Sequence, residues 1–452
     1  MGKHQSNVQI TISLQFNLRQ FRKSFLQIHI NSISVFIFRH FKPGILILII
    51  SQLLVSCSST KRFTSDEEIT EKNISGAEIN TGVLPLRVLL DEKPEAFFIT
   101  IQSGVYLFSE KNKIAEVNKG NVLECFISDD KVRLQIGRKS YSGKFFMLQP
   151  VSGNTLQYNG KSYTGSLQIV GDGNTIELIN FVELENYLKG VIAKEMPLGK
   201  GNENFEALKA MAVCARTYTI MKMNGNNLLY DIYSDTRDQV YGGINAEQTI
   251  SSKAVYETRG IILKYDDKPA KIYYHSTCGG VNESVENVFP QPPYPYLISI
   301  IDGIQPYCKI SSRYEWHETY SEDQFIEQLY NSGVINSINY ELEDIDIRSR
   351  FESGRVNELQ IVLSGDNGRK EIILYGNDIR SSIRTAKKNL MLWSTLFEIE
   401  RSGSEITLNG KGFGHGVGMC QWGAIGQSRQ GRNYKQILSH YFPGTETGRI
   451  ND

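Results

Sequence analysis

From Val83 onward, short apolar runs alternate with polar turns along the chain. VLPLRVLL, FFITIQSGVYLF, KVRLQIG, KFFMLQP, LQYNGKSYTGSLQIV and TIELINFVEL are rich in β-branched and aromatic residues and are separated by Gly, Asn and Asp. Such runs suit a pleated surface whose side chains alternate between two faces, so the spacing predicts a strand-rich portion over 83–180. The period changes at Leu184. In LENYLKGVIAKEM, Leu184, Tyr187, Leu188, Val191 and Ile192 recur at helical spacing, predicting a helix that Pro197 ends. FEALKAMAVCARTYTIMKM predicts a second helix, its alanines permitting close packing, and AEQTISSKAVYETRG a third that Gly260 closes in the left-handed conformation. IILKY and AKIYYHST read as strands. RVNELQIVLSGDNGRKEIIL, from Arg355 to Leu374, reads as a hairpin turning at Asp366-Asn367-Gly368, with a short helix following around 377–386. SEITLNGKGFGHGVGMCQWGAIGQ passes from a strand through a glycine-dense loop into a helix, and YKQILSHYF forms a last short one. No repeat of fixed period is visible. The predicted class is α+β: a β-rich accessory domain at 83–180, then a mixed domain at 181–447 carrying an inserted hairpin and helix subdomain at about 318–395.

The stretch before this body differs in kind. In FRHFKPGILILIISQLLVSCSST, Arg39, His40 and Lys42 precede an apolar run ending Leu54-Val55-Ser56-Cys57. The run is short of the roughly 20 apolar residues that span a bilayer, and its basic-apolar-small order is that of a signal peptide. LVSC resembles a bacterial lipobox, which makes Cys57 the expected lipidation site and residues 1–57 a removable leader, its long basic region pointing to a mis-assigned start codon. Residues 58–82 are polar and aperiodic, as a flexible tether would be. Ser58 after Cys57 supplies no aspartate-type retention signal, so the expectation is an exported, lipid-anchored protein facing the periplasm.

Composition narrows the function classes. At 40% hydrophobic and 22% charged residues the chain is globular rather than disordered. Lys+Arg and Asp+Glu both total 49, so no net positive field favours nucleic acid as a partner.

The chemistry begins at Glu195. It lies seven, four and three residues after Leu188, Val191 and Ile192, so on a helix it shares their apolar face. Burial there disfavours the charged carboxylate and raises its pKa, which suits a general acid. Pairing with Arg216 or a backbone amide is the alternative. Glu185 stands four residues before Lys189, a spacing for a solvent ion pair. In GKGFGHGVGMCQWGA, Gly412, Gly414, Gly416 and Gly418 surround His415. A dinucleotide loop is excluded, because no parallel βαβ unit and ribose-binding acid follow. Alternate glycines instead let backbone approach a polymer closely.

LENYLKGVIAKEMP, EALKAMAVCARTY, DTRDQVYGG, TRGIILKYDDKPAKIYYHSTCGGVNESVENVF with PYLISIID, GKGFGHGVGMCQWGAIGQ and HYFPGT together resemble the SpoIID/LytB family, in the family's order, over residues from Phe181 to Thr445. The family is named for a stage II sporulation protein that is a lytic transglycosylase and for an amidase enhancer. The resemblance implies cleavage of peptidoglycan glycan strands between N-acetylmuramic acid and N-acetylglucosamine, leaving 1,6-anhydro ends, with Glu195 as the catalytic residue and no cofactor in the chemistry. It implies that Arg216, Tyr218, Gln239, Tyr241, His415 and Gln421, with Trp422, bind or orient the glycan; a structural ion pair for Arg216 and core packing for the tyrosines stay open. Partners on this reading are the glycan, a cell-wall amidase and the membrane through the lipid anchor. The second reading is a non-catalytic amidase enhancer or peptidoglycan-binding module. Family members with zinc near this region make His275, Cys278 and Cys308 possible structural zinc ligands, chemically suitable as imidazole and thiolates. A Cys278–Cys308 disulfide, or reduced cysteines with His275 binding substrate, are the alternatives. Cys125, Cys214 and Cys420 read as small buried residues.

Overall fold

The computed structural model describes residues 84–450 apart from 94–95, 152–154, 172, 224–228 and 366–367. Cys57, the leader and the tether at 58–82 lie outside the described residues. Strand Pro85–Lys93 pairs antiparallel with Ile176–Glu183, from Pro85 opposite Glu183 to Lys93 opposite Ile176. Around this pair a seven-stranded sheet continues through Ser166–Gly171, Phe145–Pro150, Val105–Ser109 and Asn112–Val117. A six-stranded sheet runs in the order Lys161–Tyr163, Leu156–Tyr158, Ala96–Thr100, Val122–Ser128, Lys131–Ile136 and Lys139–Gly143. Alternating Leu86 and Val88, Val105 and Leu107, and Leu167 and Ile169 are all buried, as the period-two pattern requires.

The expected boundary at 180 falls inside strand Ile176–Glu183, which runs straight into helix Leu184–Glu195. On its far edge the large sheet gains Ile232–Tyr233, parallel to Val88 and Leu89. The β-rich portion and the helices also share one apolar core. Strand pairing and core closure thus join two stretches that composition separates.

Helix Leu184–Glu195 buries Leu184, Tyr187, Leu188, Val191 and Ile192, the stripe its spacing predicts. Against it pack the alanine-rich helix Phe205–Met223 and Thr249–Glu257, the latter followed by Gly260 at φ 72°. AKIYYHST is strand only at Tyr274–His275, which pairs parallel with Met419–Cys420 and so joins two of the sequence motifs.

The insertion is larger than 318–395. Glu315–Ser321, Glu405–Lys411 and Phe397–Ser402 form one sheet, and Tyr340–Arg350, Val356–Gly365 and Lys370–Tyr375 another, around a separate core that includes Trp316, Phe325, Leu359 and Leu408. Its helix Glu322–Asn331 starts in a capping box between Ser321 and Gln324. The short helix spans only Asp378–Ser382, because the chain after it turns back to bridge Arg384 with Met391. Among the described residues no helix is long and apolar enough to cross a membrane.

Candidate functional site

Glu195 is the last residue of its helix and is half-buried. Its Oε1 accepts the Val240 N–H at 2.9 Å. Burial holds its carboxyl above the usual range, and the Val240 bond, which favours the anion, opposes that shift without cancelling it. The hydroxyls of Tyr187, Tyr218 and Tyr274 lie near enough to feel its charge. A half-exposed carboxyl whose neutral form is favoured among tyrosines can donate a proton to a bound ligand.

The surrounding residues divide into those that can reach a ligand and those that position. Arg216 belongs to the second group. It is fully buried, and it forms a two-pronged pair with Glu185, Nε to Oε1 and Nη2 to Oε2 both at 2.8 Å. Nη1 donates to Ile261 O at 3.0 Å and Ala212 O at 3.4 Å, and Nη2 also to Val255 O at 3.3 Å. All five guanidinium protons are therefore engaged inside the protein, and none is left for a sugar. The Glu185–Lys189 pair is absent accordingly; Lys189 Nζ donates to Asn186 Oδ1 instead.

Gln239 is likewise buried and saturated. Its Oε1 accepts from Tyr187 Oη and Thr219 Oγ1, and its Nε2 donates to Tyr274 Oη at 3.1 Å. It sets the tyrosines around Glu195 and is itself fully buried. Tyr241, 2% exposed, donates to Asn180 Oδ1 and packs on Tyr187 and Tyr163, so it sits in the core beneath the helix. Tyr218 remains half-buried, its hydroxyl donating to Asp238 Oδ1 at 2.6 Å. Asp238 also accepts from Lys222 Nζ at 2.7 Å and from the Tyr233 N–H at 2.8 Å.

The glycine loop takes the left-handed conformation at Gly412, Gly414, Gly416 and Gly418, with φ of 85°, 116°, 90° and 73°. A Cβ at Gly418 would meet Tyr273 O at 2.1 Å, so the loop lies flush on the Tyr273–His275 segment. His415 Nε2 donates to Tyr274 O at 3.0 Å, and its Nδ1 accepts from the Val417 N–H at 3.1 Å. Burial pushes its pKa down to about 3, aided by the Arg380 cation, so the ring is neutral and both nitrogens are engaged. It fixes the Tyr274 main chain within an aromatic cluster of Tyr273, Phe289 and His275. Gln421 and Trp422, half-buried, start helix Gln421–Arg429 beyond the loop.

On the other face of the strand from Tyr274 lies a second constellation. His275 is buried; its Nδ1 donates to Val417 O at 3.1 Å, which leaves Nε2 as a bare acceptor with no hydrogen-bond partner. His275, Cys278 and Cys420 bring their donor atoms within 4.8 Å of one another, and so do Cys278, Asp302 and Cys308. Cys278 Sγ and Cys308 Sγ are 3.4 Å apart, as free thiols. Cys420 Sγ accepts the Cys278 and Gly423 N–H groups, each at 3.2 Å. Cys420, read from the sequence as a small core residue, is thus part of the cluster, and its signal was the parallel pairing of GMCQ with YYHSTC, a long-range contact. Burial pushes the Cys278 and Cys420 thiols up, while hydrogen bonds from Cys278 and Cys420 hold Cys308 down at about 3. Asp302 stands behind, raised to about 8 by burial, its oxygens accepting from Cys308 N at 2.8 Å and Tyr441 Oη at 2.5 Å. The two triads share Cys278, and imidazole nitrogen, thiolate sulfur and carboxylate oxygen are all donor types that zinc accepts.

A family model described as stage II sporulation protein matches residues 172–265, and another, described as a domain of unknown function (DUF8618), matches 308–418. Stage II sporulation protein D of Bacillus amyloliquefaciens is 32% identical over 281 residues, 59% of this chain and 74% of that one. An uncharacterised protein of Brachyspira hyodysenteriae is 30% identical over 364 residues, 80% of this chain and 92% of that one. The amidase enhancer of Bacillus subtilis is 28% identical over 348 residues, 65% of this chain but 47% of that one.

Proposed function

Because the chain belongs to the stage II sporulation protein D family, we propose that it works on the cell wall as a lytic transglycosylase, with Glu195 as its acid. The observation that carries this reading is the place of Glu195, half-buried at the end of its helix among three tyrosines, where burial favours its neutral form. Glu195 gives its proton to the glycosidic oxygen as the bond to the anomeric carbon breaks. The C6 hydroxyl of the same sugar bonds to that carbon and its proton passes to the Glu195 carboxylate, which is thereby reset. The Val240 N–H supports the ionised form between the two transfers. A hydrolase would need a second free carboxylate. Asp238, near Tyr218 on the same side, is held by Tyr218, Lys222 and the Tyr233 amide, which favours the one-carboxylate route.

Digestion of purified glycan strands followed by mass spectrometry tests this. Strands with 1,6-anhydro ends are expected; intact strands sink the proposal. The rate should carry a descending limb as pH rises, because the acid is lost through a pKa lifted above the ordinary 4.5 by burial. A rate unchanged from weakly acidic to alkaline pH would remove Glu195 from the role. The amidase-enhancer relative favours a second reading, stimulation of a separate amidase without glycan cleavage; intact strands together with faster amidase turnover would select it. In both readings the protein is exported and lipid-anchored through Cys57, facing the periplasm.

We further propose that His275 Nε2 and the sulfurs of Cys278, Cys308 and Cys420 hold a structural zinc ion. Bound zinc would tie the Tyr274–His275 strand to the glycine loop and take no part in proton transfer. About one zinc per chain is expected in the purified protein, with three further thiols becoming titratable after chelation. A zinc-free protein in which Cys278 and Cys308 resist thiol reagents until reduced would favour the disulfide.

A further inference from the structure

Lys271 and Tyr273 share one side of the segment that leads into strand Tyr274–His275. Ala270 and Ile272 are buried, whereas Lys271 and Tyr273 are half-buried, and the Lys271 ammonium lies 5.7 Å from the centre of the Tyr273 ring. Both positions are fixed. The Lys271 N–H donates to Tyr296 Oη at 2.9 Å, while the Tyr273 ring stacks on Phe289 at 4.7 Å and its hydroxyl accepts from Gln291 Nε2. Among the described residues no carboxylate pairs with Lys271, and no acceptor takes a hydrogen bond from its ammonium.

What stands near Lys271 is a second cation. Burial, joined by the Lys222 ammonium, holds the Lys271 pKa below the ordinary lysine value. Lys222 itself has a counter-charge, its Nζ lying 2.7 Å from Asp238 Oδ1 and 5.5 Å from the centre of the Tyr218 ring. Asp238 is already held by Tyr218, Lys222 and the Tyr233 amide. Tyr218 in turn lies near enough to feel both Glu195 and Tyr273. Lys271 therefore belongs to the same patch as the catalytic acid, and it lacks the counter-charge that Lys222 has.

We infer that Lys271 is a specificity-determining residue, whose ammonium receives a carboxylate of the wall strand as that strand lies against Tyr218 and Tyr273. This rests on the glycan reading of the site. A half-buried ammonium has lost part of its hydration, and a carboxylate at hydrogen-bond distance replaces it. A glycan strand carries its anions through the lactyl substituent of muramic acid, either as the free carboxylate or, where a stem peptide is attached, as a neutral amide with the carboxylate moved out along the peptide. The sugar whose anomeric bond Glu195 breaks is itself a muramic acid, so such an anion comes with the reacting ring. Lys271 moves no proton in the cut; it binds.

The test compares KM for Lys271→Met and wild type on three strands: peptide-free, peptide-free with the lactyl carboxyls converted to methylamides, and peptide-bearing. A KM raised about 10- to 100-fold, the range of a hydrogen bond to a charged group, is expected, with the loss falling on KM rather than kcat. If that loss appears on free-acid strands and vanishes on their methylamides, the carboxylate is the lactyl one; if it is confined to peptide-bearing strands, it is the stem's. Lys271→Arg should keep most of the wild-type KM. The thermal midpoint of Lys271→Met should equal or exceed that of wild type, because the ammonium it removes is partly desolvated beside a like charge. A KM change that is the same on all three strands, no change on any, a loss in kcat alone, or a lowered midpoint or failure to fold would overturn the inference. Should wild type leave every strand intact, the transglycosylase reading falls by itself, and dissociation constants for the same three strands then judge Lys271. Strands that wild type does not bind would remove both.

Discussion

Glu195→Gln is expected to lower glycan-strand cleavage by about two to four orders of magnitude, the range that general acid catalysis supplies. Glutamine keeps the shape and the acceptor for the Val240 N–H, so the tyrosine cluster should not move. What it lacks is a transferable proton. Stability should change in the other direction. Burial raises the folded-state pKa of Glu195, so any stability tied to its protonated form is present at low pH and is lost as pH rises through that raised value. Glutamine has no such loss. The variant should therefore match the wild type in acid and exceed it in denaturant midpoint toward neutral and alkaline pH. A folded Glu195→Gln protein that cleaves within tenfold of wild type would sink the assignment.

Glu185→Ala should destabilise the protein by about 3–5 kcal/mol, the usual result of leaving one member of a buried ion pair alone. Arg216 would keep its three carbonyl acceptors but lose both carboxylate bonds, at a position with no solvent to replace them. The Gly260 N–H, which donates to Glu185 Oε1 at 3.2 Å, would lose its partner too. Urea unfolding at neutral pH measures this. The double variant Glu185→Leu with Arg216→Met should recover much of the loss, because removing both charges removes the penalty. If the double variant is as unstable as Glu185→Ala, the pair contributes through shape and not charge.

These outcomes bear on what a linear reading can reach. The apolar stripe of Leu184 to Ile192 and the position of Glu195 on it were legible, because a helix's periodicity is local. The strands from Pro85 to Glu183 were legible for the same reason. Their connections were not. Nothing near Leu86 announces that its strand pairs with one beginning at Ile176, so a boundary was drawn through a continuous sheet. Side-chain partners were hidden in the same way: Glu185 has an inviting lysine one turn on, yet it bonds Arg216 on another helix. Gln239, Tyr241 and His415 stand in motifs that suggest ligand contact, and their saturated hydrogen bonds assign them to holding Tyr187 and Tyr274 in position. Tyr274 itself, adjacent to His275, was missed, because which side of a strand faces Glu195 is decided by packing.

The insertion leaves and rejoins the rest of the chain at Glu315 and Lys411, which sit opposite each other in one antiparallel pair, with Gly412 N donating to Tyr314 O at 2.9 Å just outside. Directly opposed residues in such a ladder have Cα atoms about 4.5–5.5 Å apart. A tight turn could therefore splice the two points and delete everything between them without stretching the remainder. Topologically the insertion is a detachable cassette, and a shortened protein built this way should keep the Glu195 tyrosine cluster. Arg355 and Ser353 would leave with the cassette while Cys308 and Cys420 stayed, so what the splice severs is the set of hydrogen bonds from the hairpin tip to Cys278 O, Val281 O and Glu283.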